Sequence, residues 1–305
     1  MKKEKNINTP YDDVFRTLLV DCPELIIPVV NEVFNKSYGR NANIVSRANE
    51  HFLTQQDGKQ DKVITDSNLI IEGVSYQIEC QSTADGDMII RVWEYESQIA
   101  LQDAVYDKEK CILTLKFPNT AILYLRHDEN TPDNTTVIVE FQGAKCTYTV
   151  PNIKLTNYTV EDIFEKKLYF FIPFHIFSYE SMFESYDDKT ADISELKNVI
   201  TNVFTKLNNC SSDELSECVK ALIIDMSKKV CGQLTKKYPN VQKGIGDVMG
   251  GKVLEYRSKD IRLEVLFKLV IKNAISIATA SEEVNMPEKT FQEKFDAWKA
   301  QNLVK

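Results

Sequence analysis

Two carboxylates stand in a stretch that otherwise looks built for burial. In "KVITDSNLIIEGVSYQIECQS" (62–82), apolar-rich runs flank Glu72-Gly73, with Asp66 in the first run and Glu79 in the second. A two-residue turn at Glu72-Gly73, for which glycine is well suited, sets Ile71 opposite Val74. Asp66 then falls opposite Glu79 on the same side of a hairpin, with Cβ atoms about 4.5–5.5 Å apart. Two like charges at that distance destabilise a sheet, more so when partly buried. A shared proton, a basic partner or a cation must compensate. Convergent hard oxygen ligands suit a divalent metal, Mg²⁺ or Mn²⁺, whose retained waters include a nucleophile. A slip of one residue would place the acids on opposite faces, and a slip of two would separate them. Either slip leaves an ordinary solvated strand acid as the competing interpretation.

The elements around the pair must carry it. Asn68, Gln77 and Gln81 share its face by alternation, and Lys62 has the same parity. Val63, Leu69, Ile71, Val74, Ile78 and Cys80 form the opposite, apolar face. Upstream, "TPYDDVFRTLLVDCPELIIPVVNEVF" (9–34) predicts two short helices, started by Thr9-Pro10 and by Pro23. "ANIVSRANEHFL" (42–53) predicts a strand. Residues 89–106 predict a helix with a polar stripe of Arg91, Tyr95, Gln98 and Gln102, and with Val92, Trp93, Ile99 and Ala100 towards the other side. Strand-like runs follow to residue 150, including a second hairpin about Gln142-Gly143. From 157 the pattern turns helical, and Pro173 is expected to split a long apolar segment. The polar break "ESYDDKTAD" (184–192) is the candidate boundary. Beyond it, Ser211 and Glu214 predict a capping box that opens another helix.

Composition excludes several classes. The chain has 305 residues, 43% hydrophobic and 27% charged, an ordinary globular balance. No stretch reaches the ~18–20 apolar residues of a membrane span, and no apolar segment follows the basic start, so neither a membrane nor a secretory route is expected. Seven cysteines without a C-x-x-C and three histidines without ligand spacing argue against disulfide frameworks and zinc. Reduced thiols in a cytoplasmic protein are the expectation. The net charge of -8 combines -10 over residues 1–185 with +2 over residues 186–305. Such an acidic chain is a poor polyanion binder unless its binding face is basic or metal-assisted.

The order D…E-x-Q on a hairpin, then a helix with R-x-x-x-Y, resembles the PD-(D/E)XK nuclease superfamily. Within it, the recombination-promoting nuclease and putative transposase branch is the closer likeness. "YDDVFRTLL", "ITDSNLII", "YQIECQS", "RVWEYESQIAL" and "VPNIKLTNYTVEDIFEKKLYFFIPF" carry the resemblance, which spans roughly residues 9–180. It implies an α/β fold, an αβββαβ nuclease core with a mixed sheet over residues 1–185, followed by an α-helical region over 186–305. It implies a Mg²⁺-dependent endodeoxyribonuclease acting on DNA. Asp66 and Glu79 would hold the metal, with Glu50 or Asp12 as an additional acid. Gln81 would stand where the superfamily usually has lysine, and Arg91 would be the arginine that opens the following helix. Lysine supplies charge to the reacting centre, whereas glutamine orients without charge. The alternative is therefore a catalytically degenerate nuclease fold that binds nucleic acid or protein. Homo-oligomerisation is compatible with either.

Two other motifs carry less. "GDVMGGKV" (246–253) fits G-x-x-x-x-G-K, but Val253 stands where a phosphate loop needs Ser or Thr, so a loop between helices is expected. Residues 276–300 have helix-turn-helix spacing, yet the second helix is poor in base-reading side chains, and a plain helical hairpin is expected.

Overall fold

The computed structural model describes residues 9–47, 50–54, 60–64, 67–82, 88–249, 263, 266–267, 270–271, 276–283 and 286–302, with main chain alone at 50–54, 60–64 and 301–302. The architecture is mixed α/β. It divides into two compact units, Met1–Phe183 with Lys229–Leu234, and Glu184–Lys228 with Thr235–Lys305. Among the described residues no helix is long and apolar enough to cross a membrane.

In the first unit, helix α1 (Pro10–Asp21) starts where local chemistry dictates. Thr9 caps it, Pro10 occupies the first turn, and Asp12 closes a capping box. Such a cap is worth about 1 kcal/mol. Val14, Phe15, Leu18 and Leu19 form its buried stripe. A 3₁₀ turn at Pro23–Ile26 leads into α2 (Ile27–Phe34). The chain then enters a six-stranded mixed sheet of order β1-β4-β5-β8-β10-β9. Its strands are β1 (Ile44–Ser46), β4 (Leu69–Ile71), β5 (Val74–Gln81), β8 (Asn119–Tyr124), β9 (Asn134–Phe141) and β10 (Ala144–Lys154). β1, β4 and β5 form an antiparallel meander. Helix α3 (Met88–Gln102) then crosses over so that β8 lies parallel to β5. β10 is parallel to β8 and antiparallel to β9.

The turn at Glu72-Gly73 has φ of 48° and 78°, a primed turn whose twist matches the strands. Glu72 tolerates this left-handed conformation because it is pinned on both sides. Its Oε1 accepts from the Asn43 amide at 2.7 Å, and its own amide donates to the Asn43 carbonyl at 3.0 Å. Leu69 pairs with Tyr76, Ile70 with Ser75 and Ile71 with Val74, the register expected from the sequence.

The two faces of β5 are covered differently. Tyr76 packs against Phe34 of α2 at 5.2 Å between ring centroids, and its hydroxyl bonds that of Tyr38 at 2.7 Å. On the other face, Met88 and Val92 of α3 join Ile122 and Val150 in a buried cluster.

The structure departs from expectation in several places. The expected single strand over 42–53 is two, β1 and β2 (Glu50–Thr54), in different sheets. β2 pairs with β3 (Gln60–Ile64), so Lys62 lies opposite Phe52 rather than in the β4–β5 hairpin. The apolar segment after 157 is a short α4 (Val160–Glu165) and a 3₁₀ run at Tyr169–Met182. Tyr169 to Phe177 are buried at every position, so no amphipathic period selects an α-helix there.

In the second unit, α5 (Phe183–Asp187) spans the boundary and α6 (Ser194–Asn209) follows. The helix expected from Ser211 begins later, at α7 (Glu217–Leu234), where the Val219 amide donates to Ser216 Oγ at 3.3 Å; its last residues, Lys229–Leu234, belong to the first unit. α8 (Pro239–Met249) includes Gly246 to Met249, expected as loop; residues 250–253 lie outside the described residues. A Cβ on Gly244 would meet Ile193 Cδ1 at 2.8 Å, so a larger residue there would push that side-chain end aside. α9 (Ile277–Glu283) and α10 (Glu288–Asn302) share an apolar cluster in which Phe291 and Phe295 pack against Phe267.

Candidate active site

The site builds outward from β5. Gln77, Glu79 and Gln81 alternate along one face and are fully or almost fully buried. Glu79 is 3% and Gln81 4% exposed, which removes the solvated strand acid as an explanation. A buried carboxylate requires partners, because desolvation otherwise costs several kcal/mol. Gln77 Nε2 donates to Glu79 Oε1 at 2.9 Å, a neutral donor on the same strand. Two residues on, Gln81 Oε1 accepts from Arg91 Nη2 at 3.0 Å, which fixes the orientation of its amide. Arg91 Nη2 also lies 3.0 Å from Met88 Sδ, one turn earlier in α3.

Side chains extend the ladder where the main chain stops. Beyond Leu69, Ser67 Oγ donates to the Ile78 carbonyl and accepts from the Ile78 amide, at 2.8 and 2.5 Å. This one hydroxyl satisfies both main-chain groups of Ile78 beyond the end of the β4–β5 pairing. On the other edge, the Leu125 amide donates to the Gln81 carbonyl at 2.9 Å, and Arg126 Nη1 donates to the Ser82 carbonyl. Glu180 grips the same guanidinium at Nε and Nη2, at 2.5 and 2.7 Å. Phe177 lies beneath it at 4.7 Å. The end of β5 is therefore held from both sides.

The sequence-predicted residues fall into three groups. Glu79, Gln81 and Arg91 come together on β5 and the facing helix. Asp12 serves the cap of α1, its Oδ2 accepting from the Thr9 amide at 2.7 Å. The Asp66 position and the Glu50 side chain lie outside the described residues, although the Glu50 main chain pairs with Ile64.

Three further polar residues share this interior. Asn68 is completely buried, and neither atom of its side-chain amide has a partner among the described residues. Gln77 Oε1 is in the same position. Glu96 of α3 is 1% exposed and accepts from the Tyr148 hydroxyl at 2.5 Å. Burial pushes the Glu96 carboxyl above its ordinary pKa, against the lowering effect of the Tyr148 and Thr120 hydroxyls. The expected polar stripe of α3 is also revised, because Tyr95 turns inward with Val92 and Ile99. A signal for Glu96 was present in the sequence: it continues the spacing of Met88 and Val92, where a carboxylate is out of place.

Glu79 offers oxygen on this face, a donor that suits Mg²⁺ better than zinc, while the Gln81 oxygen is taken by Arg91. The orphaned amide atoms of Asn68 and Gln77 fit hydrated polar surroundings. Among the described residues no group of three His, Cys, Asp or Glu side chains can hold a metal ion. A complete metal centre would draw its second carboxylate from Asp66. No family model, curated protein or solved structure matches the chain.

Proposed function

We propose that this chain is a divalent-metal-dependent DNA endonuclease of the PD-(D/E)XK type, similar to the recombination-promoting nucleases. The observation that carries it is the buried row of Glu79 and Gln81 on β5, with Arg91 reaching down from α3 to fix the Gln81 amide. A fold that buries a carboxylate among side-chain amides in its interior gives up stability for it, and buried ionisable groups concentrate where chemistry is done. The connectivity supports the reading: a helical lead, an antiparallel meander, a crossover helix and a strand parallel to the last.

In this reading Glu79 and Asp66 would hold the metal. When bound, Mg²⁺ supplies charge neutralisation for the phosphodiester and lowers the pKa of water. Gln81, its carbonyl oxygen occupied by Arg91, orients water through its amide hydrogens. Arg91 thus acts on the chemistry through Gln81 and adds a positive charge beside the scissile phosphate. Gln77 holds the Glu79 carboxylate in place.

Plasmid DNA incubated with the purified chain and Mg²⁺ or Mn²⁺ tests the reading. Nicking is expected, with a loss of about 100-fold or more in Glu79→Gln and in Asp66→Asn at an unchanged circular dichroism spectrum. Equal cutting by these variants, or no cutting by the wild type, would sink it.

One observation favours the second reading, a degenerate nuclease fold that binds without cutting. Gln81 brings no charge, and its carbonyl oxygen accepts from Arg91, a contact that a lysine at this position could not make. DNA retention in a mobility-shift assay with no cleavage in any metal would establish it.

A further inference from the structure

We propose that Glu96 of α3 is a positioning residue for Glu79, joined to it by a one-way chain of hydrogen bonds through Thr120 and Gln77. The inference rests on the reading of Glu79 as a metal ligand. Register supplies the path. β8 follows α3 after the small separate hairpin of β6 (Val105–Asp107) and β7 (Ile112–Thr114). Gln77 of β5 pairs with Thr120 of β8, and Glu79 pairs with Ile122. Residues paired across parallel strands point to the same face, about 4.8 Å apart. α3 covers that face, since its Val92 shares a buried cluster with Ile122. Glu96 follows Val92 by one turn and comes within reach of the Thr120 hydroxyl. Gln77, Glu79, Thr120 and Glu96 are all buried.

Donors and acceptors give the chain its direction. Tyr148 Oη donates to Glu96 Oε2 at 2.5 Å, and Gln77 Nε2 donates to Glu79 Oε1 at 2.9 Å. Between these two bonds, Thr120 Oγ1 and Gln77 Oε1 have no hydrogen-bond partner among the described residues. A buried amide oxygen needs a donor, and the Thr120 hydroxyl at the neighbouring position is one, directly or through a single water. That hydroxyl has one proton to give. A protonated Glu96 donates to Thr120 and leaves the Thr120 proton for Gln77. An ionised Glu96 takes it. Burial raises the Glu96 pKa against the pull of the two hydroxyls, and no charged group contributes. From the packed strands, Tyr148 and Cys146 of β10 are the titratable groups on this side, and Glu79 of β5 lies at the far end of the chain. Arg91, earlier on α3, donates to Gln81. Glu96 therefore stays neutral above the ordinary glutamate range, and Gln77 keeps both ends bonded. As pH rises through the raised value, Gln77 Oε1 loses its donor and the Glu79 carboxylate loses its fixed orientation.

Carboxyl ¹³C NMR and Mg²⁺ titration calorimetry on the full chain test this. The Glu96 signal is expected to titrate above those of the exposed Glu109 and Glu129. As pH rises through the Glu96 midpoint, the Mg²⁺ affinity of the wild type should fall at least ~3-fold relative to Glu96→Gln, whose amide donates to Thr120 at any pH. Below the midpoint, Thr120→Val keeps the side-chain volume, cuts the chain and should weaken Mg²⁺ binding about 3–10-fold, and Thr120→Ser should restore it. A Glu96 that titrates together with the exposed glutamates overturns the proposal. So does an Mg²⁺ affinity that Thr120→Val leaves unchanged. A wild type that binds no Mg²⁺ overturns the proposal and the metal reading together. One that binds Mg²⁺ with these responses, yet leaves plasmid DNA uncut, removes the nuclease reading and upholds the chain from Glu96 to Glu79.

Discussion

At the residue scale, the molecule is defined by polar side chains placed where apolar ones would pack. Glu96 gives the most direct prediction. Its carboxyl pKa is raised in the folded state by burial, so the folded chain holds the proton more tightly than the unfolded one. The stability it contributes is fully present below the ordinary glutamate value of 4.5 and is lost as pH rises through the raised value. Glu96→Gln keeps an acceptor for Tyr148 and cannot ionise. Its melting temperature should exceed that of the wild type at pH 8, and the two should converge below pH 4.5. A second prediction concerns Gln81. Gln81→Lys alone puts an ammonium against Arg91 and removes its acceptor, at a cost of about 1–3 kcal/mol in urea unfolding. Gln81→Lys with Arg91→Gln should recover most of that loss, and only the double variant is expected to raise metal-dependent cleavage. Asn68 marks what alternation can tell: a polar residue there was legible, but its complete burial was not, because burial depends on what packs around it.

At the element scale, β5 is held by contacts that come from outside secondary structure. Ser67→Ala should cost about 1–3 kcal/mol in chemical denaturation, since it strips the Ile78 amide and carbonyl of a shared partner. The turn and its register were legible because Glu72-Gly73 fixes both. The fate of residues 60–64 was not, because the pairing of β3 with β2 is a tertiary choice that the local sequence does not mark. The 3₁₀ run fails to announce itself for a related reason. A segment buried on every side has no amphipathic period, and Pro173 marks an interruption without saying what replaces the helix. Arg126 was not legible as a support, because its partners Ser82 and Glu180 are 44 and 54 residues distant.

At the scale of the whole molecule, charge sets how the chain can meet DNA. An acidic protein gains little from counterion release on its own. If Glu79 and Asp66 hold a cation at the contact, DNA retention should require a divalent ion. In a mobility-shift assay, binding is expected in Ca²⁺ and at least ~10-fold weaker in EDTA. EDTA-insensitive binding would point instead to the second unit, whose basic and acidic residues balance. That unit has its own apolar cluster around Phe267, Phe291 and Phe295, and its helices could be counted from the sequence more readily than their starts, as the delayed opening of α7 shows.

The two hairpins of the main sheet also differ in how they would answer a change of length. The Glu72-Gly73 turn is locked to Asn43, and the strand after it is buried on both faces. One added residue there would exchange the faces of β4 against β5 and bring Leu69 to the polar side. The Gln142-Gly143 turn joins strand ends that stand in solvent, with Phe141 64% exposed. An epitope tag or fluorophore loop belongs at that second turn, and drift in chain length among natural variants should collect there while the first turn stays fixed at two residues.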